Sequence, residues 1–179
     1  MPELPEVETI KNQLARLIAG KKISAVEIGL PKMVKLPPPQ FRKMVIGAKI
    51  KNVWRRAKIL IFDLSNGRSI LTHLKMSGQL IFRAKDQKIT PDILRWNHLI
   101  YRFSDGSNLL HNDLRQFGYV KLLAKKDLPE FFKKESIGPE PLEKDFKLSV
   151  FSAILQRRPK AKIKQFLIDQ KNIAGIGNI

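Results

Sequence analysis

The sequence predicts an α+β protein, with an N-terminal β-sandwich flanked by a helix and a shorter helical domain after it. Three patterns predict this fold: an amphipathic helix at the start, a dense series of short apolar runs in the middle, and a return to helical spacing near the end. We therefore expect a β domain at 1–130, a linker at 131–147 and the start of a helical domain at 148–179. A closed barrel is the alternative to the sandwich.

The first helix is predicted over residues 3–19, where apolar side chains recur at the spacing of one helix face. Gly20 is a favourable helix end, and the glutamates near the start complement the helix dipole. Such a helix would pack its apolar stripe on a sheet and hold residue 2 at one end. The residues of the stripe are Leu4, Val7, Ile10, Leu14, Leu17 and Ile18.

The middle of the chain is predicted to form a series of short strands separated by tight turns. Asn66-Gly67 and Asp105-Gly106 are typical of two-residue hairpin turns, whose backbone favours such pairs. A run of three prolines precedes a short helix predicted at 40–46, and 84–96 is predicted to be a polar loop. The predicted strands span 22–30, 48–55, 58–64, 68–74, 79–83, 98–103, 108–111 and 119–123.

The charge of the chain is its most informative bulk property. It has 34 Lys and Arg residues against 16 Asp and Glu, which gives a formal net charge of +18. Such an excess favours a polyanionic partner, most often nucleic acid. On charge alone, an RNA-binding or ribosomal protein and a membrane-surface binder stay open as alternatives.

Other bulk features exclude several classes of protein. No apolar run approaches the roughly 18 residues of a membrane span, so we expect no membrane association. The chain does not begin with a basic stretch followed by an apolar run, which predicts no secretory signal and a cytoplasmic location. Since the sequence contains no cysteine, it has neither disulfides nor a thiolate metal site.

The N-terminus has a chemical use besides its place at a helix start. Because residue 2 is small, we expect Met1 to be removed, which leaves the Pro2 amine free. An α-amino group titrates near pH ~8, against ~10.4 for lysine, so more of it is nucleophilic at neutral pH. A secondary amine that attacks an aldehyde carbon gives an iminium ion, and the neighbouring Glu3 could shuttle protons. On composition alone, a simple helix start explains both residues.

The opening string Met-Pro-Glu-Leu-Pro-Glu-Val-Glu-Thr resembles the start of the formamidopyrimidine-DNA glycosylase family, which excises oxidised purines. Lys58 stands in an Arg-Arg-X-Lys context that also resembles the family. The resemblance implies a bifunctional DNA glycosylase and AP lyase. In that activity Pro2 would form a Schiff base, Glu3 would protonate the substrate, Lys58 would donate a proton in β-elimination, and Glu6 would help position the flipped nucleotide.

Two further strings resemble the turns with which this family contacts DNA: His-Leu-Lys-Met-Ser-Gly at 73–78 and Asp-Leu-Arg-Gln-Phe-Gly at 113–118. The resemblance implies that Met76, Arg115 and Phe117 fill the gap left by an extruded base, and that Arg115 bonds the orphaned cytosine. His73 would lie against the DNA backbone. Read singly, Met76 and Phe117 are more often core residues.

One place departs from the family pattern. Trp96 stands where members often have a histidine, so the role of that histidine does not carry over. His98, two residues later, is equally well explained as an ordinary strand histidine.

The C-terminal segment is predicted to contain helices at 148–156 and 162–170, beyond a Gly-Pro-rich stretch. The strings at 162–170 and 173–179 resemble the opening half of the family's helix-two-turns-helix motif. A glycine turn at a helix end lets backbone N–H groups reach a phosphate. The expected DNA contacts here are Lys160, Lys162, Lys164 and Asn178, with a solvated basic helix face as the alternative for the lysines.

Because the sequence stops at Ile179, inside that motif, we expect an incomplete family member. The complete family has a zinc finger whose four cysteines hold Zn²⁺; those ligands are absent here, so we expect no cofactor in this chain. The arginine tied to δ-elimination also belongs to that finger.

The expected substrate is double-stranded DNA that holds an abasic site or an oxidised purine, such as 8-oxoguanine or a formamidopyrimidine opposite cytosine. We expect a monomer. The alternative is a catalytically impaired DNA-binding fragment of such an enzyme. An RNA-binding structural protein explains the charge but not the N-terminal string.

Overall fold

A computed structural model describes residues 2–178 of the chain. Two four-stranded antiparallel sheets form the first part of the molecule. Their strand orders are β1-β6-β7-β5 and β2-β3-β4-β8. Together with the helices, they confirm the predicted α+β class. The strands are β1 (Ile23–Ile28), β2 (Ile50–Arg56), β3 (Ile59–Leu64), β4 (Arg68–His73), β5 (Gly78–Arg83), β6 (Asn97–Phe103), β7 (Asn108–Asp113) and β8 (Tyr119–Ala124).

The core of this part is one continuous cluster to which both sheets contribute. Two of the four inner strands, β3 and β7, are buried along their whole length. Phe62 of β3 and Leu109 of β7 are typical members, each at most 1% exposed. The burial of such side chains is the main favourable term in the folding of the sandwich.

Helix α1 (Leu4–Ile18) lies against β2 and β3 and buries Leu4, Val7, Leu14 and Ile18. Its first turn is fixed by the Glu6 carboxylate, which accepts the backbone N–H of Glu3 at 2.9 Å. The helix was predicted one residue longer at each end. Its packing on the sheet holds the N-terminal residues in a defined place.

The first part also contains two short α-helices, α2 (Pro38–Val45) and α3 (Pro91–Leu94), and a 3-10 helix at Pro31–Met33. Helix α2 begins and ends slightly before the predicted range because its first turn accepts proline, which has no N–H to bond there. The prediction of an unstructured polar loop at 84–96 was wrong in part, since α3 lies inside it. Pro91 supplies the fixed backbone angle that suits a first helical turn.

The chain divides into two compact units at the Lys125–Lys126 bond. The second unit contains α4 (Leu128–Lys134), α5 (Leu148–Gln156) and α6 (Ile163–Ile168). Helix α4 was not predicted, because its few apolar residues and its proline resemble a linker, yet proline is tolerated in a first turn. The domain boundaries proposed from the sequence stay predictions.

Aromatic side chains organise the second unit. The rings of Phe146 and Phe151 meet edge to face at 6.4 Å, and those of Phe151 and Phe166 do so at 6.3 Å. Helix α6 is shorter than predicted because the chain turns at Asp169, whose Oδ1 accepts the backbone N–H of Lys171 at 3.0 Å. Within residues 2–178, no helix is long and apolar enough to cross a bilayer.

Candidate active site

The turn between β2 and β3 brings Lys58 to the start of α1. Its Nζ forms an ion pair with Oε2 of Glu3, although the two residues are 55 positions apart in the sequence. The two side chains are only 7% and 14% exposed, so little water surrounds the pair. Ala57, directly before Lys58, has a φ of 51° in the left-handed region, which makes the turn tight. The fold therefore places two predicted catalytic groups in contact, beside Pro2.

A second ion pair ties α1 to β2 close to this contact. Glu8 accepts from Arg55 Nε and from Lys11 Nζ, each at 2.5 Å. The hydrogen bond from Lys11 lowers the pKa of the Glu8 carboxyl, burial opposes this, and Arg55 lowers it further. These side chains hold the β2–β3 turn against the helix, a supporting role that the sequence analysis did not assign.

A cavity of about 480 Å³ opens beside Pro2. Glu6 lies in its wall, with an exposed side chain, and the opposite wall is formed by the first residues of β5. A carboxylate and the proline at position 2 therefore line the same space. The lining residues are Pro2, Glu6, Ile10, Gly78, Gln79, Leu80 and Ile81.

Two turns lie side by side where β5 pairs with β7, because Gly78 is directly opposite Asp113 in that pairing. We call residues 74–77 the Met76 turn and residues 114–117 the Phe117 turn. Met76 is 43% exposed and Phe117 is 55% exposed. Neither is a core residue, so the core alternative for both is wrong. Exposed apolar side chains on adjacent turns suit insertion between stacked bases.

The Phe117 turn presents its charged and aromatic groups together. The Arg115 guanidinium carbon lies 5.0 Å from the centre of the Phe117 ring, which is cation–π distance. The residues directly before the two apolar tips, Lys75 and Gln116, have left-handed φ values of 53° and 57°. Both turns are thus sharp bends that direct one side chain outward.

A buried carboxylate lies beneath the two turns. Asp113 Oδ1 accepts the Ser77 hydroxyl at 2.5 Å, and Oδ2 accepts the Gly118 N–H at 2.7 Å. Burial would raise the pKa of Asp113, but the hydrogen bonds from Ser77 and Gly118 outweigh it and lower that pKa below its usual value. No role for Asp113 was predicted from the sequence. An aspartate at the start of a turn is a signal for an Asx turn, in which its carboxylate accepts the N–H two residues later, here that of Arg115.

His73 lies at the end of β4, where its Nδ1 accepts the backbone N–H of Lys75 at 3.0 Å. Burial lowers its pKa to about 4, and the nearby charges of Lys75 and Lys58 act in the same direction. The ring is therefore neutral near pH 7. A contact with the DNA backbone, which stays a prediction, would be a hydrogen bond rather than an ion pair.

His98 has a structural partner. Its Nε2–H donates to the Asp113 carbonyl at 2.8 Å, which favours the strand-histidine interpretation. Trp96 is 38% exposed, and the Arg95 guanidinium carbon lies 5.1 Å from its ring centre.

In the second unit, the predicted contacts Lys160, Lys162, Lys164 and Asn178 are all exposed. The turn after α6 is closed by Gln170, whose Oε1 accepts the Gly175 N–H at 2.8 Å and whose Nε2 donates to the Ile176 carbonyl at 2.7 Å. This bonding orders the backbone just before Asn178.

A family model described as the formamidopyrimidine-DNA glycosylase N-terminal domain matches residues 1–120. The chain belongs to the formamidopyrimidine-DNA glycosylase family. The H2TH domain model of the same family matches residues 137–179. This confirms the resemblance on which the sequence analysis relied.

Relatives in this family are similar over the whole chain. The formamidopyrimidine-DNA glycosylases of Streptococcus mutans and Listeria monocytogenes serovar 1/2a are each 41% identical to it, over 100% of its length. The chain spans 63% and 64% of those two proteins. Lactococcus lactis Fpg, solved with DNA that contains an abasic site, is 34% identical, with a TM-score of 0.88 over 99% of this chain and 64% of the other. The same enzyme solved with Fapy-dG DNA also gives a TM-score of 0.88 at 34% identity, with the same coverage.

The zinc site implied by the complete glycosylase family does not fit this chain. The sequence has no cysteine, and in the described range 2–178 no three His, Asp or Glu side chains group to hold a metal. We derive no step through a metal.

His111 gives the glycosylase fold a pH-dependent stability. The ring is fully buried, and neither nitrogen has a hydrogen-bond partner within residues 2–178. Burial lowers its pKa from 6.5 to about 4, which the charge of Asp113 opposes. Between these values the unfolded chain binds more protons, so stability falls as pH drops from 6.5 to 4.

The native protein should lose unfolding free energy when the pH is lowered from 7 to 5, because only the unfolded chain binds a proton at His111 over the roughly 1.5 pH units below 6.5. We expect His111→Leu to make this loss smaller by about 2 kcal/mol. Urea unfolding followed by tryptophan fluorescence measures this, since both tryptophans lie in the first unit. Leu110→Ala is the control: it should weaken the fold at both pH values without changing their difference. An unchanged difference in His111→Leu would contradict the assignment.

Gly78 lets the Met76 turn close against β5. A Cβ at Gly78 would lie 2.4 Å from the Leu74 carbonyl oxygen and 2.8 Å from the Leu74 Cα, both of which are backbone atoms. We expect Gly78→Ala to lower the free energy of unfolding of the first unit by about 1–3 kcal/mol, the usual cost of overpacking. Gly29→Ala is the matched control, because its Cβ would meet nothing closer than 3.7 Å. Equal urea midpoints for the two variants would refute the prediction.

Proposed function

We propose that this chain is a bifunctional DNA glycosylase and AP lyase of base excision repair that acts on oxidised purines in double-stranded DNA. The observation that supports it most directly is the ion pair of Glu3 with Lys58, which lies beside Pro2, a residue that lines a cavity. The substrates would be 8-oxoguanine and formamidopyrimidines opposite cytosine. We propose further that it acts in the cytoplasm as a monomer, without a cofactor bound to this chain.

The proposed reaction begins with attack of the Pro2 amine on C1′ of the damaged nucleoside. As the new C–N bond forms, the purine leaves with the electron pair of its glycosidic bond; Glu3 takes the proton that the Pro2 nitrogen loses and delivers it to the ring oxygen, so that the sugar ring opens. The product is an iminium ion between Pro2 and C1′. Contact with Lys58 holds the Glu3 carboxylate in place in a nearly dry site.

The strand is then cut by elimination. The iminium makes the C2′ proton acidic, and its loss to water gives an enamine. The electrons of the enamine then break the C3′–O bond and expel the 3′ phosphate, which leaves a conjugated iminium. Lys58 serves as the proton donor to the departing phosphate oxygen. Hydrolysis of the iminium finally releases the sugar remnant and restores the amine. Glu6, in the cavity wall, would position the flipped nucleotide.

The exposed tips of the two turns suit the gap that base extrusion creates. Met76 and Phe117 would fill the stack, and the Arg115 guanidinium would donate to N3 and O2 of the orphaned cytosine. His73 would contact the backbone nearby. The exposed lysines at 160, 162 and 164 and the amide of Asn178 would bind phosphates. Binding should therefore weaken steeply as salt rises.

Borohydride trapping tests the proposal. The chain is mixed with a duplex that contains 8-oxoguanine opposite cytosine, the mixture is reduced, and any covalent adduct is mapped by mass. An adduct on Pro2 supports the enzyme. An adduct only with a pre-formed abasic site would restrict the activity to the lyase step.

The second candidate is a DNA-binding fragment with impaired catalysis. The net charge of +18 supports it, because such a charge by itself accounts for binding to DNA and requires no chemistry. Binding to duplex DNA without an adduct on either substrate would establish this candidate and refute the enzyme.

A further inference from the structure

We propose that Asp113 is a positioning residue that locks the Met76 turn and the Phe117 turn into one rigid wedge. This inference rests on the proposed function. It assigns a role to a buried carboxylate that does not itself reach the substrate. The two turns are distant in sequence, with 36 positions between Ser77 and Asp113, so they need a direct link to move as one body.

The link consists of hydrogen bonds that converge on one carboxylate. Oδ1 accepts the Ser77 hydroxyl of the Met76 turn at 2.5 Å, and Oδ2 accepts the Gly118 N–H that closes the Phe117 turn at 2.7 Å. The Arg115 N–H donates to Ser77 Oγ at 2.9 Å and lies 3.3 Å from Asp113 Oδ1. Arg115 is therefore bonded through its backbone to the turn that presents Met76.

The backbone of Asp113 is itself held by hydrogen bonds. The Asp113 N–H donates to the Trp96 carbonyl at 2.9 Å, and its own carbonyl accepts from His98 Nε2 at 2.8 Å. At Gly118, a Cβ would lie 2.9 Å from Oδ2 and 3.2 Å from the His73 carbonyl oxygen. A larger residue there would push the carboxylate away. His98 and Gly118 thus support the wedge through Asp113.

The backbone conformation at the tips of the two turns explains why they need the hydrogen bonds to Asp113, which we call the brace. Lys75 and Gln116 are non-glycine residues in the left-handed region, a conformation that persists only where the surroundings enforce it. Without the shared acceptor, the Ser77 hydroxyl and the Gly118 N–H would lack their buried partner. The turns would then relax, and the three side chains at their tips would lose their common direction.

The test compares Asp113→Asn and Ser77→Ala with a matched pair elsewhere in the same unit. Asp63 is also a buried carboxylate that accepts a serine hydroxyl, from Ser69 at 2.7 Å, but it lies at the far end of β3. Asp63→Asn and Ser69→Ala therefore alter the same chemistry away from both turns. Ser77→Ala keeps the carboxylate and serves if Asp113→Asn does not fold.

Two readouts are taken on the 179-residue chain. With 8-oxoguanine in a duplex, we expect single-turnover excision to fall by about 10²-fold in Asp113→Asn and by a smaller factor in Ser77→Ala, as for misplaced positioning groups. With a single-stranded abasic oligonucleotide, where no base must be extruded or replaced, the trapping rate should stay within about twofold of wild type. The Asp63 and Ser69 variants should match wild type on both substrates.

Hydrogen exchange tests the brace independently of activity. The amides of Arg115 and Gly118 should exchange faster in both brace variants and not in the controls. Unchanged exchange, or equal losses on duplex and single-stranded substrates, would overturn the proposal. If the wild-type chain forms no adduct on either substrate, the proposed enzymatic function is refuted. The exchange rates would still show whether Asp113 holds the two turns together.

Discussion

A chain that carries one extra residue before Pro2 is expected to form no borohydride-stable adduct, a loss on the order of 10³-fold or more, as when a catalytic nucleophile is removed. An amide nitrogen has no free electron pair with which to attack C1′. In the extended chain the only α-amine would be displaced by one residue from Glu3, whose side chain is held by Lys58. The proposed reaction therefore requires a free amine at residue 2.

The comparison needs two chains that differ only at the terminus. Both are released from a fusion partner, one beginning at Pro2 and the other at Met1, and both are trapped on duplex and abasic DNA. Tryptic mass mapping then locates any adduct. An adduct of equal yield in the extended chain, mapped to Lys58 or another lysine, would refute Pro2 as the nucleophile.

Substitution of Glu3 by Gln is expected to lower excision of an intact oxidised base by about 10²–10⁴-fold, the range attributed to a positioned general acid. Trapping on a pre-formed abasic site should persist, because an aldehyde has no base to expel. The two substrates therefore separate loss of the proton shuttle from loss of the amine. The measurement is the single-turnover rate of base excision and of abasic-site trapping at saturating enzyme, each compared between Glu3→Gln and wild type.

The same substitution has a cost in stability that must be separated from its effect on the reaction. Glu3→Gln leaves the Lys58 ammonium 7% exposed without its carboxylate, and an uncompensated buried charge of this kind costs about 3–5 kcal/mol. The double variant Glu3→Gln/Lys58→Met removes both charges. It should recover most of the urea stability and no excision. Recovery of excision in the double variant would contradict the role of Glu3.

Local patterns in the sequence were sufficient for much of the fold. The apolar spacing from Leu4 to Ile18 predicted α1 within one residue at each end, and Asn66-Gly67 marked the β3–β4 hairpin. Helices α3 and α4 were missed because each is short and has a proline in its first turn, so neither has an apolar periodicity long enough to detect.

The residues of the candidate site were predicted from separate sequence motifs, but the contacts between those residues could not be predicted. Nothing local to Lys58 indicates that it meets Glu3, because that contact depends on how α1 packs against β2. The same holds for Glu8 with Arg55, and for Ser77 with Asp113. Pairings across many tens of residues are fixed by tertiary packing, and no periodicity in the chain records them.

The pairing of β5 with β7 has a consequence for the chain during its synthesis. Residue 2 leaves the ribosome first, yet Lys58 follows 55 positions after Glu3, and the Phe117 turn follows only after β7. Synthesis at about 5–20 residues per second puts seconds between these events. If the chain has the proposed function, Pro2 is therefore exposed before the residues that would open a duplex have been made. In the proposed reaction, the order of synthesis alone would keep an unfinished polypeptide from cutting DNA.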